Sequence, residues 1–275
     1  MTRTVVLDNS VDYKKRINNC NHKLSQTFKG AMKMVNTEKY KLFNQDCMEV
    51  LKTITDNSID LIVTDPPYRV ISGGKPHKEK GAPSGMLSKN DGKIFDYNDI
   101  EPEDWVPEIY RVLKSGGQAY IMVNVLNMER YLRICRETGF GLHNILVWKK
   151  NNVTCNKWYM KNCEFTLFLR KGKAKFIKEC GSKQVSDFDN IIGNKLHPTQ
   201  KPVELMEMYI RNSSDIGDTV LDPFMGVGTT GIAAMNLDRK FVGIEIDKKY
   251  FDIASELIGE KYYEKSNNRR NKNNE

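Results

Sequence analysis

Two observations predict an α/β fold built on a parallel sheet. From Tyr40 to Ile258, short stretches rich in Val, Ile and Leu alternate with amphipathic helical stretches, the pattern of strands joined by crossover helices. The chain also has the composition of one that buries a real core, with 275 residues, 39% apolar and 28% charged.

The elements read in order. The first 35 residues are polar, Asn-rich and basic and read as a loose arm. Tyr40–Asn44 reads as a strand and Cys47–Thr53 as a helix, with Asp46 at its N-cap position. Ile59–Thr64 is a strand that runs straight into Pro66-Pro67, and residues 69–100, rich in Gly, Ser, Lys and Asp, form a long mobile loop. Helix Glu103–Leu113 is closed by Gly116-Gly117. Strand Gln118–Val123, helix Met128–Thr138 and strands Leu142–Trp148 and Phe165–Arg170 follow. Helix Pro202–Asn212 opens with proline in its first turn. Strand Thr219–Leu221, helix Thr229–Met235, strand Lys240–Ile244 and helix Lys248–Ile258 complete the pattern. The polar, basic stretch 261–275 reads as a disordered tail, so the expected organisation is an arm (1–35), one domain (36–260) and a tail.

No apolar run approaches the roughly 20 residues of a membrane span; the longest, Ala119–Leu126, is interrupted by Asn124. The opening residues lack the apolar stretch of a secretory leader. The six cysteines and four histidines match no zinc or disulfide template. A cytoplasmic protein with free thiols, no membrane association and no metal is expected.

The net charge is +8, and Lys149–Lys183, with ten basic residues against Glu164 and Glu179, carries a local charge of the same size. Trp148, Trp158, Tyr159, Phe165 and Phe168 interleave it. Concentrated cations with aromatics fit a polyanion-binding face, although many charge runs are only solvated surface. Lys149, Lys150, Lys157, Lys161, Arg170 and Lys171 are the candidate nucleic-acid contacts within a segment spanning 149–196.

Two turns carry the chemistry. Strand Thr219–Leu221 leads through Asp222-Pro-Phe-Met-Gly-Val-Gly-Thr-Thr230 into a helix. Gly226-x-Gly228 lets the backbone turn tightly against a ligand at a helix N-terminus. The next strand ends in Glu245, where a carboxylate can accept hydrogen bonds from both hydroxyls of a ribose. The pair suggests a nucleoside-containing cofactor. Gly226, Gly228 and Gly231 also satisfy G-x-G-x-x-G, so an NAD-dependent oxidoreductase is the competing class. That class leaves the second turn, Asp65-Pro66-Pro67-Tyr68, unexplained. Two prolines there remove two N–H donors and leave a rigid rim of acceptors beside a flat ring. The arrangement suits a planar group bearing an NH₂.

Asp65–Tyr68, the turn 222–230 and His197-Pro-Thr-Gln-Lys201-Pro together resemble the amino-DNA methyltransferases, and their order along the chain resembles the circularly permuted β-type group. The resemblance covers residues 39–259. It implies a Rossmann-like fold with a seven-stranded, mostly parallel sheet, helices on both faces, and S-adenosylmethionine as cofactor. It implies that Asp65, Pro66, Pro67 and Tyr68 hold a flipped base. Phe224, Gly226, Gly228 and Thr229, with Asp222 and Thr230 in the same turn, would wrap the methionine end of the cofactor. Glu245 would meet the ribose, Asp46 the adenine, and Lys201 with His197 the carboxylate end; Asp65 borders the same site. Val227 stands where the family usually has a small residue. The implied activity is methylation of adenine N6 in double-stranded DNA, with cytosine N4 as the alternative on the same fold. The absence of a Pro-Cys dipeptide argues against carbon-5 methylation. The resemblance leaves open whether the protein dimerises and whether a cognate restriction endonuclease accompanies it.

Overall fold

The computed structural model describes residues 34–68, 99–154, 159–173, 175–191 and 200–272. Arm residues 1–33, loop residues 69–98, Lys157 and His197 lie outside the described residues, as do the side chain of Thr154 and those beyond residue 267.

Among the described residues, nine strands form one sheet: β1 Met34–Asn36, β2 Tyr40–Phe43, β3 Ile59–Thr64, β4 Leu113–Val123, β5 Phe140–Thr154, β6 Lys161–Lys171, β7 Val185–Asp187, β8 Thr219–Asp222 and β9 Lys240–Ile244. Their order is β1-β2-β9-β8-β3-β4-β6-β5-β7. The expected count of seven is corrected by β1 and β7. Both are three-residue edge strands with no buried residue, so they carry no alternation to read. From β2 through β9, β8 and β3 to β4 every pairing is parallel. β6 runs antiparallel to both β4 and β5.

Among the described residues, six helices cover the two faces: α1 Cys47–Leu51, α2 Pro102–Val112, α3 Val125–Thr138, α4 Val203–Ser213, α5 Thr229–Asn236 and α6 Lys248–Lys272. β4 shows why both faces need covering. Its Ala119, Ile121 and Val123 pack with α1–α3 in one core, while Tyr120 and Met122 pack with α4–α6 in the other. A strand buried on both sides reads as a continuous apolar run. Each Leu, Ile or Val fully buried this way contributes about 1.5–3 kcal/mol.

Two local expectations are corrected. Gly116-Gly117 do not close α2; the chain passes straight from the helix into β4 at Leu113, and both glycines lie inside the strand. The stretch read as a disordered tail continues α6 as far as Lys272. Tyr262 packs edge-on against Tyr40 at 5.7 Å. Lys265 donates to the carbonyls of Met235 (2.9 Å) and Asn236 (2.7 Å) and to Asp238 (2.7 Å). A lysine that satisfies the open carbonyls at the end of α5 docks a polar helix without apolar periodicity.

Candidate active site

β9, β8 and β3 are parallel neighbours, so the turns that follow them emerge at one edge of the sheet. Ligands of open α/β sheets bind beyond the carboxyl ends of the strands. Asp65, the glycine turn and Glu245, far apart in sequence, therefore share one edge, as expected.

The glycine turn is braced from below. Asp222 Oδ1 accepts from Thr64 Oγ1 (2.7 Å) and the Phe224 amide (3.1 Å), and Oδ2 accepts from Thr230 Oγ1 (2.7 Å). Burial still pushes the Asp222 carboxyl up to about 6. Asp222 and Thr230 thus hold the turn to β3, and that is where their polar atoms are spent. Thr229, also buried, begins α5. The two glycines do different work. Gly226 has φ +53° and a Cβ there would meet nothing within 4 Å, so the turn is open above it. Gly228 has φ +84°, and a Cβ would come within 2.9 Å of Ile258 and 3.0 Å of Ala254. Gly228 is therefore required by the packing of α5 on α6. Val227 is buried, which explains a larger residue there.

Glu245 closes the turn from the β9 side. Its Oε2 accepts from the Gly226 amide (2.9 Å) and its Oε1 from the Asp247 amide (2.8 Å). Burial nonetheless raises its carboxyl to about 7. Each carboxylate oxygen keeps a further lone pair for a ligand hydroxyl. Asn44, at the end of β2, donates to the Glu245 carbonyl at 2.9 Å and ties that strand to the site. Asp46 is the N-cap of α1, accepting from the Met48 amide at 2.7 Å, with its side chain exposed beside Asn44. Phe224 packs edge-on against Trp105 at 5.1 Å. Trp105 is fully buried, and its Nε1 has no hydrogen-bond partner among the described residues.

The Asp65 turn holds a chain of charges. Lys201 Nζ lies 2.5 Å from Asp65 Oδ2 and 3.3 Å from Glu164 Oε2, and Lys150 Nζ lies 3.0 Å from Glu164 Oε1. Burial raises the Asp65 carboxyl above its usual range, with Lys201 opposing that rise. The two carboxylates hold Lys201 firmly protonated despite its burial. The Tyr68 hydroxyl donates to the Met122 carbonyl at 2.6 Å and sits 3.4 Å from Asp65 Oδ1. Its ring meets Tyr131 edge-on at 6.2 Å. Pro66 is buried and Pro67 half-buried. Lys201, expected at a cofactor carboxylate, is engaged by the protein's own acids. Glu164 belongs to this row although no motif in the sequence marks it. Its only trace in the sequence is an acid at the head of an apolar strand inside a basic stretch.

The antiparallel course of β6 divides the predicted nucleic-acid contacts. Glu164 pairs with Trp148, and Phe165 with Val123 at the carboxyl end of β4, which puts Lys149, Lys150 and Lys161 at the Asp65 edge. Arg170 pairs with Gln118, and Lys171 with Phe140, at the other edge. Lys171 donates to the carbonyls of Tyr110 (2.7 Å), Arg111 (3.2 Å) and Leu113 (2.7 Å) and to Asn57 (2.9 Å). It caps the end of α2, and Arg170 bonds the Gly172 carbonyl. Neither shares the edge with Asp65. Lys150 is spent on Glu164, which leaves Lys149 and Lys161 as the exposed lysines of the predicted set at the site edge among the described residues.

The sequence model of the N6/N4 DNA methylase family matches residues 59–256, a stretch that holds both turns and Glu164. The chain is 33% identical over 243 residues to the type II methyltransferase M.HinfI of Haemophilus influenzae, covering 78% of this chain and 67% of that protein. It is 29% identical over 240 residues to the type II methyltransferase M2.MboI of Moraxella bovis, covering 79% and 86%. Among solved structures, the complex of M1.HpyAVI with SAM superposes with a TM-score of 0.59 at 27% identity, covering 79% of this chain and 98% of that one. With the acceptor-lined turn after β3 set beside the glycine turn after β8, and the match spanning both, this chain belongs to the amino-DNA methyltransferase family.

Proposed function

We propose that this protein transfers a methyl group from S-adenosylmethionine to the N6 of adenine in double-stranded DNA, acting on a base turned out of the helix. The observation that carries the reading is the placement of Asp65, held by Lys201, beside the open turn at Gly226 and the Glu245 carboxylate. The site fits a nucleoside-bearing cofactor: the space above Gly226 admits it, and Glu245 offers acceptors to the ribose. Phe224, backed by the buried Trp105, would form an apolar wall. Bound there, S-adenosylmethionine supplies an electrophilic methyl on a sulfonium.

The rest of the chemistry belongs to the Asp65 turn. The amino nitrogen of adenine is a poor nucleophile because its lone pair is delocalised into the ring. Asp65 Oδ1 and the Pro66 carbonyl would accept its two hydrogens and favour a pyramidal nitrogen with a directed lone pair. Asp65 would then stabilise the positive charge that develops as the N–C bond forms and the methyl–sulfur bond breaks, with the neutral thioether S-adenosylhomocysteine as the leaving group and the surplus proton of the nitrogen passing to solvent. Rate comes from positioning and electrostatics, with no covalent enzyme intermediate. Tyr68, anchored by its hydroxyl to β4, offers a ring edge or face to the base. Lys149 and Lys161, on the rim of the same edge, would meet phosphates. An aspartate at the first position of the turn leans towards adenine.

The test is methylation of unmethylated duplex DNA with methyl-labelled S-adenosylmethionine, followed by digestion to nucleosides and mass spectrometry. N6-methyldeoxyadenosine is the expected product. N4-methyldeoxycytidine would reverse the base assignment and keep the mechanism. No methylated nucleoside from genomic DNA of a methylation-deficient strain, with cofactor bound, would overturn the reading.

A further inference from the structure

The charges behind Asp65 alternate in a row: Lys150, Glu164, Lys201, Asp65. Glu164 uses different oxygens for its two lysines, Oε1 for Lys150 and Oε2 for Lys201. It comes from β6 while Asp65 follows β3, so the sheet itself sets their separation. Taken alone, Asp65 and Lys201 cancel. A neutral pair gives little help to positive charge developing on a substrate nitrogen, and an ammonium this close to Asp65 opposes that charge. Without Lys201, however, the half-buried Asp65 carboxyl, already pushed up by desolvation, would tend to hold its proton and would have no negative charge to offer the amino group. The site needs a cation that keeps Asp65 ionised and an anion that offsets that cation.

We infer that Glu164 is a positioning residue for the methyl transfer: by taking up part of the Lys201 charge, it lets Lys201 hold Asp65 ionised and oriented without quenching the negative field that Asp65 presents to the substrate nitrogen. Lys150 anchors Glu164 from the far side. The inference rests on the function proposed above, and it assigns roles to two residues whose charges would otherwise read as a surface ion pair. Among the described residues, the charged and titratable groups around Asp65 are Lys201, Glu164, Tyr68 and, further off, Asp222 on β8 and Tyr131 on α3.

The sign of each substitution follows from Coulomb's law. Glu164→Gln removes a negative neighbour of Asp65, so the Asp65 carboxyl should titrate at lower pH than in wild type. Lys201→Met and Lys150→Met remove positive charge from the row, so Asp65 should titrate at higher pH, more for Lys201→Met. A residue that merely props up the fold would not move the titration in opposite directions. The primary measurement is the ¹³C-carboxyl titration of Asp65 by NMR in the cofactor-free full-length protein, assigned through Asp65→Asn. The second is kcat on genomic DNA from a methylation-deficient strain. Glu164→Gln should lower kcat tenfold or more while the Kd values for cofactor and DNA stay within about twofold, because the lost interaction matters only as charge develops. Glu164→Asp, which keeps the charge, should recover most of kcat.

An Asp65 titration unchanged or raised in Glu164→Gln overturns the inference, and so does a kcat within twofold of wild type. Should Glu164→Gln fail to fold, Lys150→Met decides, since an unshifted Asp65 titration there overturns the inference as well. Failure of the underlying reading shows separately, as wild-type protein that methylates no DNA.

Discussion

The two edges of the sheet use charge in opposite ways. At the amino-terminal edge of the parallel strands, charged groups satisfy backbone. Lys171 caps the carbonyls of α2, and Arg111 donates to the carbonyls of Leu51 (2.8 Å) and Ile54 (2.9 Å). Asp60 bonds Lys114 at 2.6 Å and accepts from the Thr219 amide at 3.0 Å. At the carboxyl edge, Asp222 is a buried acid and Asp65 and Glu245 are half-buried ones, and desolvation raises all three carboxyls above their ordinary range. Charge at the first edge lowers the energy of the fold. Charge at the second is held against its desolvation penalty, which marks a site built for something other than stability.

The strongest way to break that comparison is Asp65→Ala. Methyl transfer should fall by at least about 10³-fold, the scale of a group that acts directly on the reacting nitrogen. Cofactor affinity and the thermal midpoint should stay near wild type. Activity within tenfold of wild type in a labelled-methyl assay would show that the acids of the carboxyl edge are ordinary structural groups.

Lys171→Met tests the other edge. Four acceptors lose one ammonium, so the urea midpoint should drop by the equivalent of about 1.5–3 kcal/mol at unchanged m, with no change in DNA affinity. Loss of DNA binding without loss of stability would return Lys171 to the nucleic-acid face.

Glu245 gives an effect on the order of tenfold. Its carboxyl titrates at about 7, and protonation removes an acceptor that the ribose would use. If only the ionised form binds, cofactor Kd by calorimetry should rise about tenfold from pH 8 to pH 6. Stability of the cofactor-free protein should move the other way. Between the ordinary carboxylate range and the raised values of Glu245 and Asp222, the native state binds more protons than the unfolded one. These two groups therefore stabilise the fold most at low pH and lose that contribution as pH rises through about 6 to 7. A cofactor Kd flat across this range would mean that Glu245 serves the turn alone.

The smallest effect is that of Lys149→Ala. It should lower DNA affinity uniformly and reduce the slope of log K against log salt by about one, with stability unchanged. An unchanged slope would leave its ion pair with Asp187, 3.0 Å away on β7, as its only role.

Much of this was legible in the sequence because it is local. Apolar runs reveal strands buried on both faces, and a strand–turn–helix with Gly226 and Gly228 reveals its backbone demand at any depth in the fold. The parallel neighbours β3, β8 and β9 then bring their turns together automatically, since parallel strands end on the same side. The two edge strands and the docked end of α6 were hidden, because each rests on a few polar or single-residue contacts that leave no period in the sequence.

By itself the sequence determined the α/β alternation, the two chemical turns and the acceptor-rich character of Asp65–Tyr68. Only the tertiary structure decided which charges serve them. Lys150, Lys161, Arg170 and Lys171 look alike in a basic stretch, yet an antiparallel strand delivers its two ends to opposite edges of the sheet, so two lysines reach the site and the last two residues cap the far side. The same course of β6 brings Glu164 to Lys201, and through it to Asp65. Hydrophobic period is a property of one segment, whereas electrostatic pairing at 3 Å depends on the register between segments far apart in the chain.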